Sequence, residues 1–407
     1  MATHRPMEGV RILEVADHTF VPAASAILSD WGAEVIKIEH ITRGDASRGL
    51  ASTGMAIFAG EVSPLLEHGN RGKKSLALDL SRPEGRAVLY QLAEISDVFL
   101  TNKLPGVRDK LELNVDDIRA HNPNIIYVRG TGQGARGPDA DRGSYDSLAY
   151  WCRAGVALGL KQAEDEYVPP PPAPAFGDSI GAMTIAGGIM GALFHRSNTG
   201  EATTVDVSLL GTGMWSMGAA LALSLQHQVG WAPPPRGAPT GNPLVHTYRT
   251  KDNHFVSLCC LQAAKYWAEA CHAFGRPELA DDPRFADAAA IRDNVAVAQE
   301  LVAEAFAERT VDEWRDRLAD FSGQWTVVQD TLEAAADPQT VANGYVQECK
   351  TAAGVPFRLV AAPVQYDEQP APPKRAPEFN EHGDAILAEL GFDWDTIVDL
   401  KVRGVVA

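Results

Sequence analysis

Val10-Arg-Ile-Leu-Glu-Val15 and Ala33-Glu-Val-Ile-Lys-Ile-Glu39 decide the fold class of this chain. Both runs are rich in branched apolar residues, as strands are. Between them, Pro22 suits the first turn of a helix reaching about Trp31, and Gly32 ends it. A strand–helix–strand unit normally pairs in parallel through a right-handed crossover. The turn after the first strand, Ala16-Asp-His-Thr-Phe-Val21, contains no glycine. The phosphate-cradling fingerprint of dinucleotide enzymes is therefore absent, and nicotinamide and flavin cofactors are disfavoured.

Outward from this unit the alternation continues. Ser75–Leu80, Asp97–Leu100, Asn124–Arg129 and Thr203–Ser208 read as strands, and a helix runs from Pro83 to about Ile95. The expectation is an α/β protein: a Rossmann-like large domain with a parallel sheet, binding ligands at the carboxyl ends of its strands. His18, Thr19, His40, Asn102 and Arg129 stand at those ends. Basic residues gather nearby: Arg43 and Arg48, then Arg71, Lys73 and Lys74, then Lys103, Arg108 and Lys110. Singly these are ordinary solvated loop residues; together they would suit an anionic, phosphate-bearing ligand.

A proline run, Pro169 to Pro172 with Pro174, leads into Phe176-Gly-Asp-Ser179. From Ile180 to Arg196 nearly every residue is small or apolar, which reads as a buried helix whose glycines permit close approach of a neighbour. Asp178 stands where this helix starts. A helix cap and a carboxylate poised for covalent chemistry are both open on local pattern.

Beyond it, Leu209–Gln228 reads as one long helix, and the proline- and glycine-rich stretch 231–243 as a boundary. From Val245 to about Phe321 a smaller α+β unit is expected, with a strand at Phe255–Leu258 and helices near Ala263–Phe274, Asp293–Ala307 and Val311–Leu318. Its aromatic residues read as core packing. Met214, Trp215, Met217 and Trp231 fit either a roomy acyl pocket or a packed core. The tail carries another proline-rich span, 363–377, and an amphipathic helix at Gly383–Leu390. The resulting division is 1–235 for the large domain, with a linker helix from about 201; 236–330 for the small one; and 331–407 returning to the large domain.

Composition narrows the function. Of 407 residues, 45% are apolar and 22% charged, as in a globular protein. A net charge of −17 argues against a nucleic-acid partner. Five cysteines without paired metal-ligand spacing suggest reduced thiols in a cytoplasmic protein and no metal. The amino terminus has no apolar signal core, and no uninterrupted apolar run looks long enough to span a bilayer, so no membrane is expected. Neither a Gly-x-Ser-x-Gly elbow, a Walker-type lysine loop nor a zincin His/Glu pair is present.

Taken whole, the chain resembles the family III CoA-transferases, the formyl-CoA and carnitine CoA-transferase group that also includes α-methylacyl-CoA racemases. The resemblance is carried by Gly9–Val15, Gly32–Glu39, Asn70-Arg-Gly-Lys-Lys-Ser-Leu-Ala-Leu-Asp-Leu80, Gly177-Asp178, Thr199-Gly200 with Val205–Ser208, and Glu381-His-Gly-Asp384 with Leu387–Gly391. It implies an acyl-CoA:carboxylate CoA-transferase in which Asp178 is the nucleophile, passing through a mixed anhydride and an aspartyl-CoA thioester. The partners implied are an acyl-CoA donor and a carboxylic acid acceptor, coenzyme A being the only cofactor. An interlocked, intertwined homodimer is implied as well.

The racemase branch uses a histidine where this chain has Tyr145, and a phenol gives up its proton far less readily than an imidazolium near neutral pH. Tyr145 and Asp146 resemble the transferase pattern and are carried over as supporting site residues. For coenzyme A the resemblance implies Thr19, His40, Lys73, Lys74, Asn102, Lys110 and Tyr145. Three departures are visible: Thr19 in place of a carboxamide, His40 in place of an arginine, and Lys103-Leu104 in place of Phe-Arg. Pro239-Thr-Gly-Asn-Pro243 falls near the family's glycine-rich lid but is poor in glycine. The alternatives are an α-methylacyl-CoA racemase and a non-catalytic CoA-binding subunit.

Overall fold

The computed structural model describes residues 5–53, 62–235, 237–239, 241–372 and 374–407. Thr240, in the expected lid stretch, lies outside the described residues. The chain divides into two compact units, Met1–Pro233 with Gln339–Ala407, and Pro234–Pro338.

The larger unit is built on six strands: β1 (Arg11–Val15), β2 (Glu34–His40), β3 (Lys74–Leu78), β4 (Val98–Thr101), β5 (Ile126–Thr131) and β6 (Thr204–Ser208). Their order in the sheet is β3-β2-β1-β4-β5-β6, and every neighbouring pair is parallel. The order reverses between β1 and β4. Chains leaving the carboxyl ends of these two strands part in opposite directions and open a crevice there.

Nine helices of this unit matter below: α1 (Phe20–Asp30), α2 (Pro64–Asn70), α3 (Pro83–Glu94), α4 (Pro105–Leu111), α5 (Val115–Arg119), α6 (Val156–Leu160), α7 (Phe176–Thr199), α8 (Leu209–Ser216) and α9 (Gly218–His227). One apolar core joins α1 and α7 to one face of the sheet, through Val21, Ala24, Ile185 and Ile189. The other face is covered by α3 and by two helices of the carboxyl-terminal segment, Gly383–Glu389 and Trp394–Val402, through Leu89, Leu387 and Leu400. The chain's end is stitched to β3 by the Asp79 N–H, which donates to the Val405 carbonyl at 3.0 Å. A hairpin, Val346–Lys350 with Pro356–Val360, was not foreseen from sequence.

Helix α7 departs from its expected form in two ways. It starts at Phe176, so Asp178 is its third residue and not its cap; Ala175, with φ +56°, holds the cap position. It is also only half-buried. Gly177 and Gly181 face the core because a Cβ would strike Tyr150 Cγ at 2.6 Å in one case and overlap Phe20 in the other. Gly187 and Gly191 lie on an open face with nothing near them, beside exposed Phe194. By length and composition alone α7 is long and apolar enough to cross a bilayer, a test that core helices of soluble proteins also pass. The expected long helix from Leu209 breaks at Met217, just before Gly218, into α8 and α9. Trp215 there is 86% exposed, so it belongs neither to a packed core nor to a closed pocket.

The smaller unit holds a three-stranded antiparallel sheet, Val245–Arg249, Phe255–Cys259 and Trp325–Val327, with helices Ala263–Phe274, Val295–Ala307 and Val311–Arg317. Tyr248, Phe306 and Trp314 stack in its core, the last two with ring centroids 4.3 Å apart, and Phe274 meets Phe306 edge-on. These rings do pack a core.

Candidate active site

A cleft of about 350 Å³ opens at the carboxyl ends of β1, β4 and β5, at the point where strand order reverses. Its walls come from the β1–α1 turn (Asp17, His18), the β4–α4 segment (Asn102, Lys103, Leu104), the segment after β5 (Arg142, Tyr145) and the start of α7 (Asp178). A second cleft of about 320 Å³ lies toward β2 and β3, and His40, Arg43 and Lys110 line it. The two share Asp17, Lys103 and Val107.

Asp178 is in the first turn of α7 because the left-handed residue Ala175 launches the helix directly ahead of it. Burial, with the Asp146 carboxylate nearby as a second cause, pushes its carboxyl up to about 7. The helix dipole favours the anion, but burial is the larger effect here. Asp146 is held in place by two helix starts: its Oδ1 accepts from the Ser147 N–H at 2.7 Å and its Oδ2 from the Gly177 N–H at 3.1 Å. Among the described residues no cation pairs with Asp178. The arrangement keeps a carboxyl available for reaction near neutral pH.

The residues carried over from sequence separate into three groups. Asp178, Tyr145 and Asn102 line the first cleft, and Asp146 braces it from behind. Asn102 accepts from the Asp17 N–H at 3.2 Å and donates to its carbonyl at 2.7 Å, pinning the β1–α1 turn. His40 and Lys110 line the second cleft. Thr19, Lys73 and Lys74 line neither. Thr19 is buried at the start of α1. Lys73 is wholly enclosed, donating to Glu14 at 2.8 Å, to the Pro22 carbonyl at 2.9 Å and to Asn70 at 3.1 Å. Lys74 pairs with Glu34 at the amino end of β3, away from both clefts.

The wider basic cluster disperses in the same way. Arg48 grips Glu39 in a two-pronged pair at 2.8 Å, Arg71 pairs with Asp30 at 2.7 Å, and Arg129 with Asp206 at 2.6 Å. Arg43, Lys110 and Arg108 remain without an ion-pair partner among the described residues, the first two at the second cleft and Arg108 at the first. Arg142, Asp17 and Phe20 line the first cleft and were missed; only their position beside strand ends and Tyr145 could have marked them.

Residues 7–383 match the model of CoA-transferase family III. The chain belongs to that family. The (R)-2-hydroxy-4-methylpentanoate CoA-transferase of Clostridioides difficile is 29% identical over 401 residues, covering 98% of this chain and 99% of its own. The succinyl-CoA:glutarate CoA-transferase of Homo sapiens is 28% identical over 407 residues, covering 99% and 90%. Among solved structures, a CAIB/BAIF family protein from Brucella suis aligns with a TM-score of 0.79 at 27% identity, over 95% of this chain and 100% of that one. The parallel six-stranded α/β architecture is thus that of the family III CoA-transferases, and the protein is an enzyme of that family, acting on CoA thioesters.

Proposed function

We propose that this family III enzyme moves coenzyme A between two carboxylic acids through Asp178. The observation that carries the reading is a carboxyl group, raised to about 7, on the first turn of a glycine-containing helix in the cleft at the sheet's reversal point. The ionised carboxylate attacks the thioester carbonyl of the donor, and the C–S bond breaks to release CoA thiolate, leaving a mixed anhydride. The thiolate attacks the aspartyl carbonyl, expelling the donor acid and leaving an aspartyl-CoA thioester. The acceptor carboxylate then repeats these steps in reverse. Each step exchanges one activated acyl bond for another, so no ATP and no net proton transfer are needed. Water has to be kept from the anhydride.

Coenzyme A fits this scheme with its nucleotide end in the second cleft, near His40, Arg43 and Lys110, and its thiol arm passing Lys103 and Asn102 toward Asp178. The residues shared by the two clefts support such a path. Lys73 bears on it only through the turn it holds. The relatives' names span hydroxy, aromatic, dicarboxylic and fatty acids, so the donor and acceptor are carboxylic acids and the names narrow them no further. The exposed apolar residues Leu158, Phe194, Trp215 and Leu225 support an intertwined homodimer that covers them. Five free cysteines fit the reducing cytoplasm.

The test is trapping. Incubation with acyl-CoA donors, carboxylates and hydroxylamine should leave a hydroxamate on Asp178, detected by mass. Asp178→Asn should lower turnover about a thousandfold or more while CoA still binds. Exchange of the α-proton with deuterated water, without any adduct, would support the racemase instead.

A further inference from the structure

The β1–α1 turn is bound along its whole length. The Ala16 carbonyl accepts from Lys37 Nζ at 2.8 Å, and the Pro22 carbonyl from Lys73 Nζ at 2.9 Å and Ser25 Oγ at 3.0 Å. Asn102 takes both polar groups of the Asp17 backbone. The His18 N–H donates to buried Asp45 at 3.2 Å, and Asp45 in turn pairs with Lys37 at 2.6 Å. Held this way, His18 sits at φ +67°. Three other left-handed residues have local explanations: Glu112 and Gln228 end helices, and Asn253 turns a hairpin. His18 ends no helix, and a glycine there would adopt the conformation without cost.

What the strained backbone achieves is the position of the ring. The imidazole stands edge-on to Tyr145, with centroids 5.5 Å apart and planes at 89°. Tyr145 is 59% exposed, and its hydroxyl has no hydrogen-bond partner among the described residues. Both rings line the cleft that holds Asp178.

We infer that His18 is a positioning residue that braces Tyr145 as a wall of the cleft beside Asp178. The inference rests on the reading of Asp178 as acyl carrier. A braced wall keeps water from the acyl-aspartyl intermediates, so its loss shows as hydrolysis. The experiment is a double-mutant cycle of His18→Gly and Tyr145→Ala, with acyl-CoA hydrolysed per transfer as the readout. His18→Gly should fold with an unchanged or higher Tm, since glycine relieves the backbone, yet lose roughly tenfold in transfer and raise the hydrolysis ratio. In the Tyr145→Ala background, His18→Gly should add nothing further. Transfer and hydrolysis at wild-type levels in His18→Gly, or effects of the two variants that simply add, would overturn the brace. Asp178→Asn run in parallel separates the two readings. If it stays active, the acyl-carrier reading fails; if it is dead while His18→Gly behaves as wild type, only the brace does.

Discussion

Two sets of buried charges lie on either side of the β1–α1 turn, and they are arranged in opposite ways. Beneath the turn, Glu14, Lys37, Asp45 and Lys73 alternate in sign, all nearly or wholly enclosed. Glu14 is buried, which works to raise its carboxyl, but the Lys37 and Lys73 ammoniums outweigh burial and hold it below the usual carboxylate range. In the cleft, Asp178 has burial and a second carboxylate against it, and its carboxyl rises to about 7. Burial is common to both regions, so it is the sign of the neighbour that separates a locked charge from a reactive one. The same contrast fits the proposed roles: the paired frame holds the turn still, and the unpaired acid is the group proposed to carry the acyl chain.

Breaking the paired side should have the largest effect. Glu14→Gln keeps the shape of the side chain but leaves two buried ammoniums facing Asp45 alone. Removing one partner of a buried pair costs about 3–5 kcal/mol, because an uncompensated charge remains. Urea unfolding should show that loss. The molecules still folded should form the Asp178 adduct, since the variant does not touch the acid itself. An unchanged midpoint would mean that the frame is not needed for stability.

A second substitution bears on the reactive side through packing. Gly177 runs so close to Tyr150 that a Cβ would lie 2.6 Å from its Cγ, and Tyr150 is anchored by its hydroxyl, which donates to Ser216 at 2.9 Å. Neither side can yield easily. Gly177→Ala should cost about 1–3 kcal/mol in a thermal melt and lower turnover beyond what that loss explains, because residue 178 moves with the helix start. Gly191→Ala, on the open face of α7 where a Cβ meets nothing, is the matched control in the monomer. A control as damaged as Gly177→Ala would place the effect on helix propensity and not on the Tyr150 contact.

The sheet was legible in the sequence because its strands other than β6 are largely buried and read as branched apolar runs bounded by turns. Strand order was not legible, since pairing is non-local; the crevice at the β1/β4 reversal became visible only once the sheet was assembled. Asp178 was singled out through the resemblance, while the helix cap expected there lies three residues earlier, at a left-handed alanine, an unusual starter. The basic cluster misled for a physical reason. Arg48, Arg71, Lys73 and Lys74 each have a carboxylate partner, supplied by Glu39, Asp30, Glu14 and Glu34 on other elements. A clue was available: Glu14, Lys37 and Glu39 interrupt runs that must be buried, and a charge inside such a strand demands a counter-charge. The open face of α7 misled in the opposite direction, since small and apolar residues look the same in sequence whether they face a core or lie open.

The finest test concerns the neighbour's sign itself. Asp146→Asn removes the negative charge beside Asp178 and keeps one oxygen, which can accept from the Gly177 N–H only if the Ser147 N–H gives up its own acceptor. Attack requires the ionised carboxylate, so transfer in the wild type should rise with pH through about 7. Removing a like charge makes ionisation easier and lowers that midpoint, so the variant's profile moves toward acid. Burial is the first cause of the shift and survives the substitution; the movement should therefore stay below about one pH unit. Stability should run the other way. A carboxyl with its folded pKa raised favours the native state fully below its unfolded value, about 4, and loses that contribution as pH rises through about 7. The variant should lose less of it over that range. A rate profile that does not move, or moves toward base, would show that Asp146 acts only by tying the two helix starts together, and the contrast between the two regions would then rest on the lysines that face Glu14 and have no counterpart at Asp178.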